Sequence, residues 1–369
     1  MENIINYVEN FGNFSFEEKP FNDVDSLVFS QLVYLRFNKG VPNLNENCKA
    51  IKLADVLDHI DSPKEFFVAY DTTSIKLLFL AVISSRRYKN TKLNYKMLKT
   101  DGNEEMQFFA LSFLLENGDT YVAFRGTDGT IIGWKEDFNM SFMDEIPSQI
   151  EAVKYINSVA PKLSGKIIVG GHSKGGNLAI YSAVKCDDKI KDRIVGVYNH
   201  DGPGFSQTFL ESSEFAKMKD KIHITFPRSS MVGMMLEQHG EHKVVNSSSY
   251  GAFQHNGFTW EVDGDDFDYA SDVNMLATTT HKVTNDWLVK VGSLERQRFI
   301  DTLYDIIKSS NATTLAEFQS NWRQSAMSIL KYSKGLDKET VKFIFQTMGQ
   351  LVSSATKSTF KPKDKSAKN

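Results

Sequence analysis

Lys166-Ile167-Ile168-Val169-Gly170-Gly171-His172-Ser173-Lys174-Gly175-Gly176-Asn177-Leu178-Ala179-Ile180-Tyr181 is the stretch that decides the fold. Residues 166–170 read as an apolar strand, and residues 174–185 read as a helix. Ser173 stands on the junction between them, in a G-x-S-x-G setting. A sharp strand-to-helix turn holds such a serine in a strained backbone conformation, and side chains two residues to either side would collide with neighbouring backbone. The same turn places Ser173 at a helix N-terminus, where backbone N–H groups favour developing negative charge. The bare pattern is common by chance. The strand before it, the flanking Gly170 and Gly176 and the helix after it favour a nucleophile over a structural glycine-rich turn.

Outward from this junction the chain alternates strand and helix. Ser148-Gln149-Ile150-Glu151 reads as a capping box opening a helix to about Ala160, and further strands are expected at 193–198, 221–226 and 242–246. Upstream, residues 93–98, 107–114 and 120–124 have β texture, and Asn117-Gly118 between the last two signals a hairpin. Asn22 and Asp23 can cap a helix carrying Val24, Leu27, Val28, Leu32 and Leu35 on one face. Strands spaced by helices predict an α/β protein with a buried, mostly parallel central sheet, flanking helices, and ligands at the carboxyl ends of the strands. Beyond His281 three apolar stripes at helical spacing predict a helical C-terminal extension. The expected organisation is one domain over 1–280 with its N-terminal helical segment, a helical extension over 281–355 packed on it, and a basic flexible tail over 356–369. The tail reads as frayed and solvated, with weak contact to an anionic lipid surface as the sharper alternative.

Composition narrows the function classes. The 369 residues carry 43 Lys+Arg against 46 Asp+Glu, and that near-neutral balance argues against a nucleic-acid binder. With 27 Phe, 13 Tyr and 4 Trp the bulk of the chain has too much apolar surface to stay unfolded. Cys48 and Cys186 show no metal-ligand spacing and make no disulfide framework, so neither a structural metal nor a stapled secreted fold is expected. The first residues lack a signal-peptide pattern, and the longest apolar run, 77–83, falls far short of the roughly 18 residues a membrane span needs. A cytoplasmic location is the expectation.

A nucleophile at such a turn needs an oxyanion hole made by the amide of the next residue, here Lys174, and a second donor on a loop after an earlier strand. Tyr121-Val122-Ala123-Phe124-Arg125-Gly126-Thr127 ends a strand in a tight turn, and Thr127 offers both an amide and a hydroxyl. Phe124-Arg125-Gly126-Thr127 followed by Trp134 and Asp137, together with Gly171-His172-Ser173-Lys174-Gly175-Gly176, resembles the signatures of the class-three, fungal-type lipases. Phe21-Asn22-Asp23-Val24-Asp25, the continuation to Asn177, Asn199-His200-Asp201-Gly202-Pro203-Gly204-Phe205 and Gln254-His255 resemble, more closely, an uncharacterised bacterial hydrolase family related to those lipases, over roughly residues 20–262. The resemblance implies an α/β-hydrolase fold, an oxyanion role for Thr127, and framework roles for Arg125, Trp134 and Asp137. Read on their own, those three are an ordinary surface salt bridge and a core tryptophan.

In α/β-hydrolases the chain order is serine, acid, histidine, which leaves His200, His223, His239, His242, His255 and His281 as candidate bases. His223 alternates with isoleucines inside a strand, and His239 and His242 flank a turn-like, solvent-exposed stretch. His255 follows the fourth strand, in a loop of small residues at the carboxyl edge of the sheet, and is taken as the base; a surface loop histidine is its bland alternative. For the acid, Asp201 follows the strand after the nucleophile helix, where Gly202 and Pro203 make a tight turn that can aim a carboxylate or be a turn and nothing more. The lipases resembled carry their acid one strand later, where this chain reads Arg228-Ser229-Ser230-Met231-Val232-Gly233. Either the acid is Asp201, or Ser230 orients the histidine as a neutral acceptor, or the third member is missing.

The expectation is a serine hydrolase that cleaves acyl esters of a small molecule or lipid, of esterase, lipase or lysophospholipase type: Ser173 attacks, His255 moves the proton, Asp201 orients His255, and Thr127 with the Lys174 amide holds the oxyanion. No cofactor is called for, since these groups supply the chemistry. Met231, Met234, Met235 and Leu236 read as a flexible apolar wall or as a buried core helix. The rivals are thioester or peptide hydrolysis or acyl transfer on the same groups, and a non-catalytic hydrolase-fold binding protein.

Overall fold

The computed structural model describes residues 1–273 apart from 38–39, 103–105, 129–130, 141–142, 144, 231 and 239–240, together with residues 297, 301 and 304. Apart from those last three residues, the extension expected over 281–355 and the tail over 356–369 lie outside the described residues, as do His239, His281 and Met231. One compact unit comprises Met1–Asp128 and Met143–Lys290, and a second comprises Gly129–Phe142 and Val291–Asn369.

The first unit opens with α1 (Ile4–Phe11) and α2 (Asp23–Leu32). As the sequence suggests, α2 is capped by Asn22. Its side chain accepts the Asp25 N–H at 2.9 Å, and the Asp25 carboxylate accepts the Asn22 N–H at 3.1 Å. Next come β1 (Ile51–Lys52), α3 (Pro63–Phe66), α4 (Thr72–Ser84), β2 (Lys92–Asp101), β3 (Met106–Leu114) and β4 (Thr120–Phe124). The second unit holds α5 (Ile131–Asn139), where Lys135 Nζ pairs with Asp301 at 3.1 Å. Back in the first unit, α6 (Pro147–Val159), β5 (Ile167–His172), α7 (Lys174–Lys185), α8 (Asp188–Lys191) and β6 (Ile194–His200) follow. The chain continues through α9 (Gln207–Leu210), α10 (Ser213–Met218), β7 (Ile222–Pro227), β8 (His242–Val245), β9 (Val262–Asp263), β10 (Asp266–Phe267) and β11 (Tyr269–Ala270).

Nine strands form one sheet in the order β1-β2-β3-β4-β5-β6-β7-β8-β11. β4 through β8 pair in parallel, while β1 to β4 and the last pair are antiparallel. The hairpin between β3 and β4 turns at Gly118, whose φ of +89° is a left-handed conformation that glycine takes without steric cost.

Alternation along the strands sends aromatic side chains to both faces. Tyr121 stacks on Phe29 of α2 and Phe113 packs tilted against it, whereas Phe108 and Phe124 pack against Tyr155 of α6. α2 therefore covers one face and α6 the other. All ten residues of α2 are buried, which is why its apolar stripe is unusually broad. Parallel strands joined by crossover helices, with a strand–turn–helix carrying Ser173 at the centre of the sheet, make this an α/β-hydrolase fold.

Two local expectations are corrected. The α6 cap is two residues earlier than Ser148: Gln149 Oε1 accepts the Ile146 N–H at 2.9 Å, Ser148 Oγ donates to the Gln107 carbonyl, and Glu151 is drawn off by Lys99 and Lys154. Met234, Met235 and Leu236 are not a buried helix. They are half-buried in turns, and Leu236 has φ +62°. Gly233 and the Gln238 side chain bonded to the Gly233 carbonyl break any helical run there.

Beneath α2 lies a buried ion pair. Asp25 receives Nε of Arg87 at 2.8 Å, a second Arg87 nitrogen, and the hydroxyls of Tyr88 and, at 3.3 Å, Tyr7. Arg87 donates its remaining hydrogens to the carbonyls of Phe14, Ser15, Lys19 and Pro20. Every lone pair and proton finds a partner, the condition under which a desolvated pair is tolerated. Among the described residues, no helix is long and apolar enough to cross a membrane.

Candidate active site

β5 ends at His172 and α7 begins at Lys174, so Ser173 alone makes the turn, with φ +59° and ψ −135°. That conformation is costly for a residue bearing a Cβ and is held by the surrounding backbone. The Ser173 N–H donates to the His200 carbonyl at 2.9 Å, tying the turn to β6. A Cβ at Gly171 would lie 2.3 Å from the carbonyl carbon of Gly175, and one at Gly175 would lie 2.1 Å from the Phe124 carbonyl oxygen. Glycine at both positions is thus a consequence of how tightly α7 starts against β4 and β5.

Asp201 extends the end of β6 with φ +55°, and its carboxylate is fully buried. Its turn is built by two asparagines. Asn199 Oδ1 accepts the Gly202 N–H at 2.8 Å, and Asn177 on α7 donates to the carbonyls of Pro203 and Gly204, both at 3.1 Å. His255 closes a short helical turn after β8, Gly251–His255. Gln254 anchors that turn, accepting the Ser229 N–H at 2.7 Å and donating to Ser249, while the buried indole of Trp260 donates to the Gln254 carbonyl.

These elements bring Ser173, His255 and Asp201 into one line. His255 Nδ1 lies 2.6 Å from Asp201 Oδ2, and His255 Nε2 lies 3.0 Å from Ser173 Oγ. An ionised carboxylate only accepts, so Nδ1 carries the proton and donates it, leaving Nε2 to accept from the serine hydroxyl. Ser230 makes no hydrogen bond to the His255 ring. Its hydroxyl donates to Asp201 Oδ1, which also accepts the Gly233 N–H at 3.1 Å. The geometry thus places the Ser230 hydroxyl on the Asp201 carboxylate and not on the imidazole.

Lys174 is the first residue of α7, so its amide precedes the helix's own hydrogen-bond ladder. Its side chain turns inward, and Nζ donates to the Gln107 carbonyl at 3.0 Å. Thr127, half-buried, follows Gly126, where a Cβ would lie 3.1 Å from the Ser173 Cβ. The turn carrying Thr127 is thereby pressed against Ser173. Arg125 corrects an expectation, being buried where the sequence alone suggested a surface ion pair. Asp137 is half-buried, and the Trp134 side chain lies outside the description.

A further histidine belongs to the site. His172 is buried, its ring 4.7 Å from that of His255. Its Nε2 donates to the His255 backbone carbonyl at 2.8 Å, and Nδ1 then accepts from the Tyr34 hydroxyl at 3.2 Å. Burial, and next the neighbouring His255, hold this imidazole well below the usual histidine range, so it stays neutral. Of the remaining candidates, His200 is fully buried on Ser26, with burial lowering its pKa to about 4. His223 stacks on Tyr198, and His242 is exposed. Sequence reasoning overlooked His172, Asn177, Asn199 and Gln254 as working parts. The available signal was polar residues embedded in otherwise apolar elements.

Among known proteins, residues 82–305 match the family model described as Mbeg1-like. No sequence among the curated proteins matches this chain. Among solved structures, a lipase from Rhizopus microsporus var. chinensis is 12% identical, with 73% of this chain and 83% of that chain covered and a TM-score of 0.36. The native Rhizomucor miehei lipase propeptide complex is 12% identical, covering 63% and 72%, with a TM-score of 0.35. A fungal lipase–inhibitor complex is 14% identical, covering 46% and 68%, with a TM-score of 0.34.

Proposed function

The chain belongs to the Mbeg1-like family, and we propose that it is a serine hydrolase that cleaves acyl esters through an acyl-enzyme intermediate. The observation that carries this reading is the hydrogen-bonded line from Ser173 through His255 to Asp201, with Ser173 held at a left-handed strand-to-helix turn. Ser173 Oγ attacks the ester carbonyl as His255 Nε2 takes its proton. The imidazolium so formed is stabilised by Asp201, which keeps Nδ1 protonated. The oxyanion is received by the Lys174 amide and by Thr127. His255 then gives its proton to the departing alcohol, and a water molecule repeats the sequence to release the acid and restore the serine. Residues of this chain supply the nucleophile, base, acid and oxyanion donors. A small-molecule or lipid ester is the substrate class that fits this chemistry.

Labelling with a fluorophosphonate probe tests the reading, since the probe phosphonylates only an activated serine. Labelling that is lost in Ser173→Ala, with turnover of a p-nitrophenyl ester lost in parallel, is the expected result. A correctly folded protein that neither reacts with the probe nor turns over esters would overturn it in favour of a binding protein on a hydrolase scaffold.

A further inference from the structure

Two buried arginines in this chain are treated in opposite ways. Arg87 is saturated by a carboxylate and four carbonyls. Arg125, 9% exposed, is not. Its guanidinium carbon sits 4.6 Å from the centre of the Phe109 ring, an apolar floor. Among the described residues the one carboxylate within 4 Å is Asp128, at 3.9 Å, beyond hydrogen-bond length. A guanidinium has five donors, and burying them without acceptors opposes folding unless something else binds them. Arg36, exposed and with no carboxylate within 4 Å among the described residues, adds a second positive charge. Burial, and further down the order the repulsion from Arg36, lower the Arg125 pKa against the opposing pull of Asp128 and Tyr34.

The position of this charge is informative. Arg125 directly follows β4 and precedes Gly126, which is pressed on Ser173 and on the Tyr34 hydroxyl, and lies two residues before Thr127. A buried cation with only a distant counter-charge thus stands at the root of the turn that carries Thr127. Among the described residues, the guanidinium groups of Arg125 and Arg36 set against the Asp128 carboxylate favour an anion here. The planar fork of a guanidinium matches a carboxylate bidentately.

We propose that Arg125, seconded by Arg36, binds a carboxylate on the ester substrate, so that the enzyme selects acyl esters bearing a negative charge a few bonds from the scissile carbonyl. This rests on the hydrolase reading above and adds a substrate class to it. Arg125 is here a binding residue and takes no proton.

The test compares kcat/KM for mono-p-nitrophenyl glutarate, which ends in a carboxylate, with that for p-nitrophenyl pentanoate, a neutral ester of the same chain length. A preference for the glutarate ester of roughly 10-fold or more is expected from a charge-assisted, bidentate contact. In Arg125→Gln the ratio of the two should collapse toward 1, and in Arg125→Lys part of it should survive. Should Arg125→Gln fail to fold, Arg36→Gln and the native protein at low and high salt take its place, and the ratio should fall in both. A native ratio at or below 1, or a ratio indifferent to Arg125, or to both Arg36 and salt, would overturn the inference. Turnover of the pentanoate ester without any preference counts against Arg125 alone, whereas turnover of neither ester counts against the hydrolase reading.

Discussion

Ser230 gives its hydroxyl hydrogen to the oxygen of Asp201 that His255 does not use. With the Gly233 amide on that same oxygen, the carboxylate has one orientation, and Oδ2 is left facing the imidazole. Ser230 thus supports a carboxylate that follows the preceding strand of the sheet, β6. Removing the charge and removing its support should then have different sizes. Asp201→Asn presents a donor or a neutral acceptor to His255 Nδ1 and favours the wrong tautomer, at a cost of about 10⁴-fold in kcat. Ser230→Ala leaves the charge and the Gly233 bond, and kcat should fall roughly 10-fold. Equal losses in steady-state assays of the two variants would mean that Ser230 does more than hold the acid.

On the proposed mechanism, Ser173 and His255 should behave as one unit. Ser173→Ala and His255→Ala are each expected to remove ester turnover by about 10⁴-fold or more, and the double variant should be little worse than either single one. His242→Ala is the control, since that ring is exposed on β8. Loss of activity in the control with retention in His255→Ala would mean the base is elsewhere.

The turn at Ser173 is legible because its chemistry is local: glycines at fixed offsets and a strand passing into a helix are written in consecutive residues. His255 was reachable through chain order and through the small residues around it. What stayed hidden depends on residues brought together from afar. The partner of Ser230 is 29 positions away, and the support that His172 gives His255 crosses 83. Nothing in residues 228–233 distinguishes a hydroxyl that holds an aspartate from one that holds a histidine. The Asp25–Arg87 pair spans 62 positions and belongs to the same class. The misplaced α6 cap has another cause, because Gln149 and Glu151 both suit a first helical turn and pairing of Glu151 with distant Lys99 and, within the helix, Lys154 decided between them.

His172 should act on rate through geometry. His172→Phe keeps a ring against His255 and loses the donor to its carbonyl, so the base is held less firmly above Ser173. A fall of roughly 10-fold in kcat is expected, with KM little changed, because the contact orients a catalytic group and touches no substrate. Equal loss in kcat and fluorophosphonate labelling rate would agree with this. A change confined to KM would not.

Truncating the buried ion pair should unfold the protein more readily without altering the site's chemistry. Asp25→Ala leaves the Arg87 guanidinium buried among carbonyls with no counter-charge, at a cost of about 3–5 kcal/mol. Chemical denaturation reads this directly, and the surviving folded fraction should retain native kcat. A loss under about 1 kcal/mol would show that water reaches Arg87.

Acid stability follows from His200, which lies under the nucleophile turn and whose pKa burial lowers from 6.5 to about 4. In the unfolded chain its imidazole takes up a proton near pH 6.5, whereas in the folded protein it stays neutral until about pH 4. Between those values the unfolded state binds more protons, so stability falls as pH falls. The contribution is present in full above about pH 6.5 and is lost progressively toward pH 4, to a total of about 3 kcal/mol. His172, shifted in the same direction, adds to the slope. His200→Gln keeps a polar group beside Ser26 and does not titrate. Its stability from urea unfolding at pH 7, 5.5 and 4.5 should decline less steeply than that of the native protein, by up to about 1.4 kcal/mol per pH unit. Parallel declines for the two proteins would show that His200 already exchanges its proton with solvent in the folded state.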